Sequence, residues 1–287
     1  MSTTTKNYVD ATLGLTQTFW SPVFEKEMRE NTLWTGLLQD PNYTMEKVKG
    51  GDTFKISKIN KPTSTIKTVG VDADSFESNV LNTTQIDLVA NKRCVSAYKF
   101  EDLAILMSQL EQENSEIRES LLADVREQAN DWIKSLISPS TSAPAHVLTS
   151  VSDFNLTQLS AVRTLSANAK WRASGQPWYL LASPDYYSNM LDDTTLSASN
   201  VMGIGVSPIV QGFFNFNRMG YTIIEDDSLS NSTAYAMIPS FMKIVLGQPR
   251  FMISDLHALG QFGFQLSVDF VLGATMADDT RVISIAN

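Results

Sequence analysis

The chain has 287 residues, enough to bury one large core or two linked ones. With 43% hydrophobic and 18% charged residues, and only 14 Gly and 10 Pro, it has the composition of a folded chain and not of a fibrous or disordered one. The formal charge of −9, from 31 acidic and 22 basic side chains, repels polyanions and argues against a general nucleic-acid binder.

The first residues, Met1 to Tyr8, show no basic start followed by an apolar segment. No apolar run approaches the roughly 20 residues that span a bilayer, so neither export nor membrane insertion is expected. Residues 1–20 are polar and without period. Ser21-Pro22 then supplies a helix cap followed by proline at the first helical position, which predicts a helix from Pro22 to about Asn31. Phe19 and Trp20 just before it would be poorly placed in a free tail, so this arm is expected to dock.

Gly50-Gly51-Asp52 reads as a turn, and the β-branched and aromatic run Thr53 to Ile59 as a strand. A polar stretch from Asn60 to Thr84 separates it from a second strand at Gln85 to Ala90. A connection of about 24 residues is unusual within a compact domain, and the segment is read as a protruding two-stranded arm. Cys94 to Phe100 is the next strand. Its alternation points Cys94, the sole cysteine, inward as a buried structural thiol, and a single cysteine excludes an intrachain disulfide or thiolate cluster.

Asp102 can cap a helix running to about Ile137, with a break near Ser108. Leu103, Leu106, Leu110, Ile117, Leu121, Val125, Trp132 and Leu136 form one apolar stripe at three- and four-residue steps. Counted from Gln109, that helix has about 29 residues and a length of roughly 43 Å. Ser138 to Ser152, rich in Ser, Pro, Thr and Ala, reads as a boundary between subdomains.

Asn155 with Gln158 resembles a capping box opening a helix to about Trp171. Trp178 to Ala182 reads as a buried strand, and Ser183-Pro184 starts another helix. Glycines and prolines punctuate residues 203–220, and strands follow at Tyr221 to Ile224, Ala234 to Ile238, Phe251 to Ile253, about Phe262 to Leu272, and Arg281 to Ile285. Helices and strands mix without regular βαβ alternation, so the fold class is α+β.

The inventory for chemistry is thin. His146 and His257 are the only histidines and have no metal-ligand spacing. Gly203 and Gly205 precede Pro208, which occupies the place where a phosphate-cradling helix needs its first N–H donors. The pairs Asp192-Asp193, Asp226-Asp227 and Asp278-Asp279 lie at predicted turns and read as turn and cap residues. The glycosylation triplets at Asn42, Asn82, Asn155 and Asn231 read as chance products of a Thr-rich chain. No catalytic residue, cofactor site or metal site is expected.

One charge pattern stands apart. Lys47, Lys49, Lys55, Lys58, Lys61 and Lys67 make the proposed arm basic, whereas Glu111, Glu113, Glu116, Glu119, Asp124, Glu127 and Asp131 make the long helix acidic. Two solvated faces would explain this, since exposed pairs contribute about 0–1 kcal/mol each. Alternatively, the arm of one copy lies on the acidic helix of the next, where summed fields set register.

The order of parts resembles the Hong Kong 97-like major capsid protein family of tailed phages over nearly the whole chain. The arm ahead of Phe19 to Glu30, the segment Gly51 to Ser57 that looks like the start of the family's extended loop, and the long helix resembling its spine helix carry the likeness. So do Ser207 to Asn217 with Gly220 to Leu229, similar to the axial-domain segment, and Val271 to Ile285, similar to the C-terminal strands.

The resemblance implies an N-terminal arm and first helix at 1–32 and an extended loop at 50–92. It implies a peripheral domain of 33–49, 93–144 and 248–275 with a spine helix at 109–137, and an axial domain of 145–247 and 276–287. It further implies a non-enzymatic subunit that forms pentamers and hexamers of an icosahedral shell, in a virion capsid assembled in the host bacterial cytoplasm. The expected partners are other copies, a separate scaffolding protein, a portal protein and enclosed double-stranded DNA bound without sequence specificity; no membrane is involved. The residues expected at contacts between copies are Phe19, Trp20, Lys55, Lys58, Lys61, Lys67, Glu113, Glu116, Glu119 and Glu127. An encapsulin-type nanocompartment shell, which shares the fold and encloses protein cargo, is the alternative.

Overall fold

The computed structural model describes residues 3–6, 17–20, 33–38, 50–72, 80–101, 115–137, 146–197, 215–256 and 263–287. Its first elements are β1 (Thr3–Lys6), β2 (Gln17–Trp20), α1 (Leu33–Leu38), β3 (Thr53–Ile59), β4 (Thr83–Val89), β5 (Lys92–Glu101) and α2 (Ser115–Ile137). There follow β6 (His146–Leu148), α3 (Leu156–Asn168), β7 (Trp178–Ala182), α4 (Pro184–Asp192), α5 (Thr194–Ser197), β8 (Asn215–Arg218), β9 (Tyr221–Glu225) and β10 (Thr233–Met237). The chain finishes with β11 (Met242–Leu246), β12 (Arg250–Asp255), β13 (Gly263–Met276) and β14 (Val282–Ala286).

Strand β13 organises a four-stranded antiparallel sheet. One of its edges pairs with β5, and the other pairs first with β12 and then with β11. Because strand side chains alternate between faces, Leu266, Val268, Phe270 and Leu272 all point the same way. They pack with Leu121, Val125 and Ala129 of α2, whose spacing of four places them on one stripe. Tyr98 and Cys94 stand opposite Leu266 and Phe270 and share this face, and the Tyr98 hydroxyl lies 3.0 Å from Ser120 Oγ on the helix. The other face of the sheet, carrying Gln265, Ser267, Asp269 and Val271, is free of α2.

A second sheet has six strands in the order β6-β14-β10-β7-β9-β8, with β7–β9 and β14–β6 parallel and the rest antiparallel. Its core gathers Phe154, Leu159 and Val162 from α3 and its approach, Tyr186 and Met190 from α4, and the strand residues Leu180, Ile223, Ala236 and Ile283. Asn155 caps α3 by accepting hydrogen bonds from Thr157 N and Gln158 N. Proline occupies the first turn of α4, as its fixed φ favours. Trp171 stands edge-on to Trp178 and donates from Nε1 to Thr280 O at 2.8 Å, tying the turn after α3 to the C-terminal segment.

The two sheets meet at α1. Trp34, Ile133, Ile137, Leu181, Met237, Phe241 and Met242 form a shared cluster. Within it, Trp34 Nε1 donates to Asp226 Oδ2 at 2.7 Å, and Trp34 N donates to Asn130 Oδ1 at 3.2 Å. Asp226, fully buried, also accepts from Ser228 N and Oγ, so this carboxylate exchanges water for several donors.

Most predicted strands stand within two or three residues of their expected places, and β3 and β7 match. The differences have local causes. Residues 1–20 are not without structure: β1 and β2 pair antiparallel, with Thr3 opposite Trp20, and four-residue strands, one of them Thr-Thr-Thr-Lys, are too short and polar to show alternation. The Ser138 to Ser152 boundary contains β6, a three-residue strand too short to show a period. Helix α3 ends at Asn168 because Lys170 turns to φ 60°, and a 3₁₀ turn begins at Trp171. Helix α1 and strands β8 and β11 went unpredicted. The helix expected at Pro22–Asn31, the break near Ser108 and the segment 102–114 lie outside the described residues.

Candidate assembly interface

The predicted arm is a β3–β4 antiparallel hairpin, in register from Thr53 opposite Val89 to Ile59 opposite Thr83. At its neck Gly51 N donates to Ala90 O at 2.8 Å, and Ala90 N donates to Asp52 O at 2.9 Å. Phe54, Ile56, Leu88 and Ala90 pack with Val245 of β11 and Val271 of β13. The α2-free face of the four-stranded sheet therefore carries the hairpin's base. Gly273 marks the crossing point: a Cβ there would stand 2.2 Å from Val89 O and 2.9 Å from Ala90 Cα. Only a residue without a side chain lets the two backbones approach so closely.

A second anchor lies halfway along the stalk, where Lys58 Nζ contacts Asp278 Oδ2 at 2.9 Å. Arg281 Nε reaches the same oxygen at 3.1 Å, and Thr280 donates to Asp278 Oδ1 from its N and Oγ1. Burial pulls the Asp278 carboxyl up. The hydrogen bonds from Thr280 and Lys58 and the charges of Lys58 and Arg281 outweigh it, holding the group below its ordinary value.

Beyond Lys58 the described hairpin runs along the surface. Residues 57–72 and 80–85 are exposed without interruption. Among them are aliphatic side chains that a free surface would not normally gather: Ile66 is 103% exposed, Val69 100% and Val80 91%, with Ile59, Val71 and Leu81 also open. Asp72 Oδ2 accepts from Thr68 N, and Gly70 adopts φ 80° in the turn between them. The structure thus presents exposed aliphatic side chains on a hairpin whose described anchors include Gly273 and Asp278.

Of the residues expected at contacts between copies, Lys55, Lys58, Lys61 and Lys67 lie on the hairpin and all are exposed. Lys55 stands opposite Asp87 across the strands, and Lys58 has found a partner in its own chain. On α2, Glu119 is exposed and Glu127 half-buried, while the side chains of Glu113 and Glu116 lie outside the described residues. Phe19 and Trp20 are in β2, and their side chains are likewise outside the description. No described contact brings the hairpin lysines to the α2 glutamates within one chain.

Two of the three acidic pairs supply caps, whereas Asp226 is a fully buried acceptor for the Trp34 indole and Ser228. Asp193 accepts from Leu156 N and from Thr195, which holds its carboxyl low, and Asp278 caps the 3₁₀ turn 279–281. Cys94 is half-buried rather than buried, because β5 is an outer strand, and desolvation raises its thiol. His146 is half-buried in β6, while His257 and the Gly203–Gly205 segment lie outside the described residues. Among the described residues no group of three or more His, Cys, Asp or Glu could hold a metal ion, and no helix is long and apolar enough to cross a membrane.

Sequence reasoning did not find the ion cluster on the α2-free face. There Asp269, 5% exposed, faces Arg93 at 2.6 Å and Arg250 at 3.3 Å, both through Oδ2. Arg250 sits directly opposite Asp269 in the strand register, whereas Arg93 is 176 residues away in sequence; only knowledge of the β5–β13 pairing could have joined them.

No protein-family model and no curated protein sequence matches the chain. Solved structures do. A chain from Mycobacterium phage Che8 superposes with a TM-score of 0.73 at 14% identity, covering 92% of this chain and 94% of that one. The capsid asymmetric unit of cyanophage Pam1 gives 0.69 at 11% identity over 97% and 98%. A virus-like particle from Pyrococcus furiosus gives a lower 0.51 at 13% identity over 89% and 96%. At these identities the agreement concerns the backbone path: the chain has the Hong Kong 97-like fold of phage capsid proteins, α+β in class.

Proposed function

We propose that this chain is a major capsid protein that self-assembles into pentamers and hexamers of an icosahedral shell around the double-stranded DNA of a tailed phage. The observation that carries the reading is the hairpin: a stalk anchored at Gly273 and Asp278 presents fully exposed aliphatic side chains that its own core does not cover. Such a tip gains free energy only when an adjoining copy buries it. In this reading the six-stranded sheet and its helices belong to the axial domain, at 145–247 and 276–287, and α2 with most of the four-stranded sheet to the peripheral domain.

In this reading the subunit is structural and non-enzymatic, residing in the virion capsid after assembly in the host cytoplasm. A separate scaffolding protein directs closure and a portal protein occupies one vertex. The arm with Phe19 and Trp20 reaches neighbouring copies. The basic stalk, through Lys55, Lys61 and Lys67, and the acidic surface of α2, with Glu113, Glu116, Glu119 and Glu127, set register by their opposed fields. The net charge of −9 lets the shell enclose DNA without gripping it.

The encapsulin-type reading is less well supported, since the archaeal virus-like particle superposes at 0.51 where the phage chains reach 0.69 and 0.73. Co-expression with a scaffolding protein, followed by electron microscopy and analysis of particle contents, tests the proposal. Closed shells that package DNA through a portal vertex are expected. Shells loaded only with protein cargo would favour the alternative, and an enzyme activity without particles would overturn both.

A further inference from the structure

Charge is out of balance around Asp269, on the α2-free face of the four-stranded sheet. The carboxylate is 5% exposed, and a buried charge needs a partner. Arg93 supplies one: its Nε donates to Asp269 Oδ2 at 2.7 Å, and its Nη2 reaches the same oxygen at 2.6 Å. One guanidinium against one carboxylate is already neutral. Arg250 adds a second, with its Nη2 3.3 Å from that same oxygen.

The strand register brings the three side chains together. Arg250 stands directly opposite Asp269 on β12, and Arg93 stands opposite Val271, two residues along β13. Residues two apart on a strand share a face, so both arginines project on the side of Asp269. Their charges sum to one positive charge in excess. A second guanidinium beside a paired carboxylate brings repulsion, and at 68% exposure its ion pair contributes little stability of its own. A second anion on the outer edges of the pair would remove that excess.

The donors for such an anion are in place. A guanidinium carries five N–H groups in a planar fork. Arg93 commits its Nε–Nη2 edge to Asp269, which leaves Nη1, and Arg250 commits Nη2 alone, which leaves Nε and Nη1. Among the described residues no hydrogen bond takes up these remaining groups, and the two side chains are 61% and 68% exposed. Asp269 also holds both arginines in position before any ligand arrives, which lowers the ordering cost of binding.

We infer that Arg93 and Arg250, oriented by Asp269, form a binding site for a phosphate-type oxyanion. Phosphate has enough acceptor oxygens to engage two forks at once, whereas a carboxylate has two and is satisfied by one fork. The site goes beyond the capsid reading and does not depend on it. Because the chain as a whole carries a charge of −9, the free ion is the expected source of the phosphate, ahead of a nucleic-acid backbone. Lys99 lies opposite Gln265, four residues along β13 from Asp269 and about 13 Å away, too far to hold the same ion.

Calorimetric titration of inorganic phosphate into the full chain, at ionic strength fixed with sodium chloride, tests the site. Saturable binding is expected, with sulfate competing well and acetate poorly. Arg250→Gln keeps the Arg93–Asp269 pair and so spares the buried charge; it should weaken phosphate binding at least about tenfold with an unchanged far-ultraviolet spectrum. Arg250→Lys retains the charge without the fork and should also bind more weakly, which carries the test should the glutamine variant not fold. Lys99→Gln should bind as the unaltered chain does.

No saturable phosphate binding, or unchanged affinity in both Arg250 variants, would overturn the site. So would an equal loss in Lys99→Gln, or acetate competing as well as sulfate, since either marks diffuse positive charge. A labelled single-stranded oligonucleotide separates the sources: binding that disappears in Arg250→Gln assigns the phosphate to nucleic acid, and phosphate binding without it assigns the free ion. An acidic peptide that binds where phosphate does not would replace the oxyanion by a protein partner and overturn the inference. These readings are made on the subunit before shells form, so their failure leaves the capsid reading standing, and a failure to form shells leaves the site standing.

Discussion

Substituting Gly273 by alanine should loosen the hairpin at its neck. The added Cβ would stand 2.2 Å from Val89 O and 2.8 Å from Val89 C, both backbone atoms that cannot rotate away. Carbon and carbonyl oxygen settle at about 3.3 Å, so the end of β4 must retreat by about 1 Å. A radial gap of that size forfeits about a quarter to a half of the dispersion energy across it. The gap falls where Leu88 and Ala90 meet Val245 and Val271.

Overpacked sites of this kind cost about 1–3 kcal/mol. With about 2 kcal/mol as the working figure, melting should fall by about 4 °C. The same figure predicts about 30-fold faster hydrogen exchange at the neck amides Gly51 N and Ala90 N. Exchange measured by mass spectrometry on the free subunit decides the matter. Wild-type rates at the neck together with an unshifted melting temperature would refute the claim that Gly273 is held small by the crossing backbone.

Other perturbations follow from the same contacts. Asp226→Ala leaves the Trp34 indole N–H and Ser228 N without their buried acceptor and should cost about 3 kcal/mol in urea unfolding, with Asp226→Asn losing less. The Asp278 carboxyl is lowered in the folded chain, so the stability it contributes is present above the ordinary carboxyl range and is lost as pH falls through its lowered value. Because Lys58 is half exposed, that contribution stays below about 1 kcal/mol. Asp278→Asn should accordingly flatten the acid limb of the urea midpoint against pH without moving the midpoint at pH 10 relative to pH 7. Lys61→Glu, which avoids the contact made by Lys58, should slow assembly at low salt and act weakly at high salt, as followed by light scattering.

What the sequence made legible was local. Strands β3 and β7 announce themselves by β-branched and aromatic runs between turn residues. The start of α3 is announced by Asn155, whose side chain caps it, and that of α4 by Pro184 in its first turn, while the expected Ser183 side-chain cap does not form. The hairpin could be inferred because a long polar stretch between two strands has nowhere to pack.

Elements without local contrast escaped. Strand β8, Asn-Phe-Asn-Arg, is polar, and β11, Met-Lys-Ile-Val-Leu, lacks alternation because both its faces are covered. The decisive polar contacts join distant parts of the chain: Lys58 to Asp278 across 220 residues, and Trp34 to Asp226 across 192. No spacing rule pairs such residues before the sheet order is known. The charge contrast between hairpin and α2 was visible in composition, yet the basic patch of Arg93 and Arg250 around Asp269 emerged only once β5 and β12 were seen to flank β13.

Sedimentation velocity of the purified chain over a wide range of protein concentration and salt bears most directly on the central claim that the subunit is completed by its siblings. Growing amounts of capsomer-sized and shell-sized species with rising concentration are the predicted result. A single monomer boundary under every condition, with Ile66 and Val69 protected from solvent in that monomer, would contradict it.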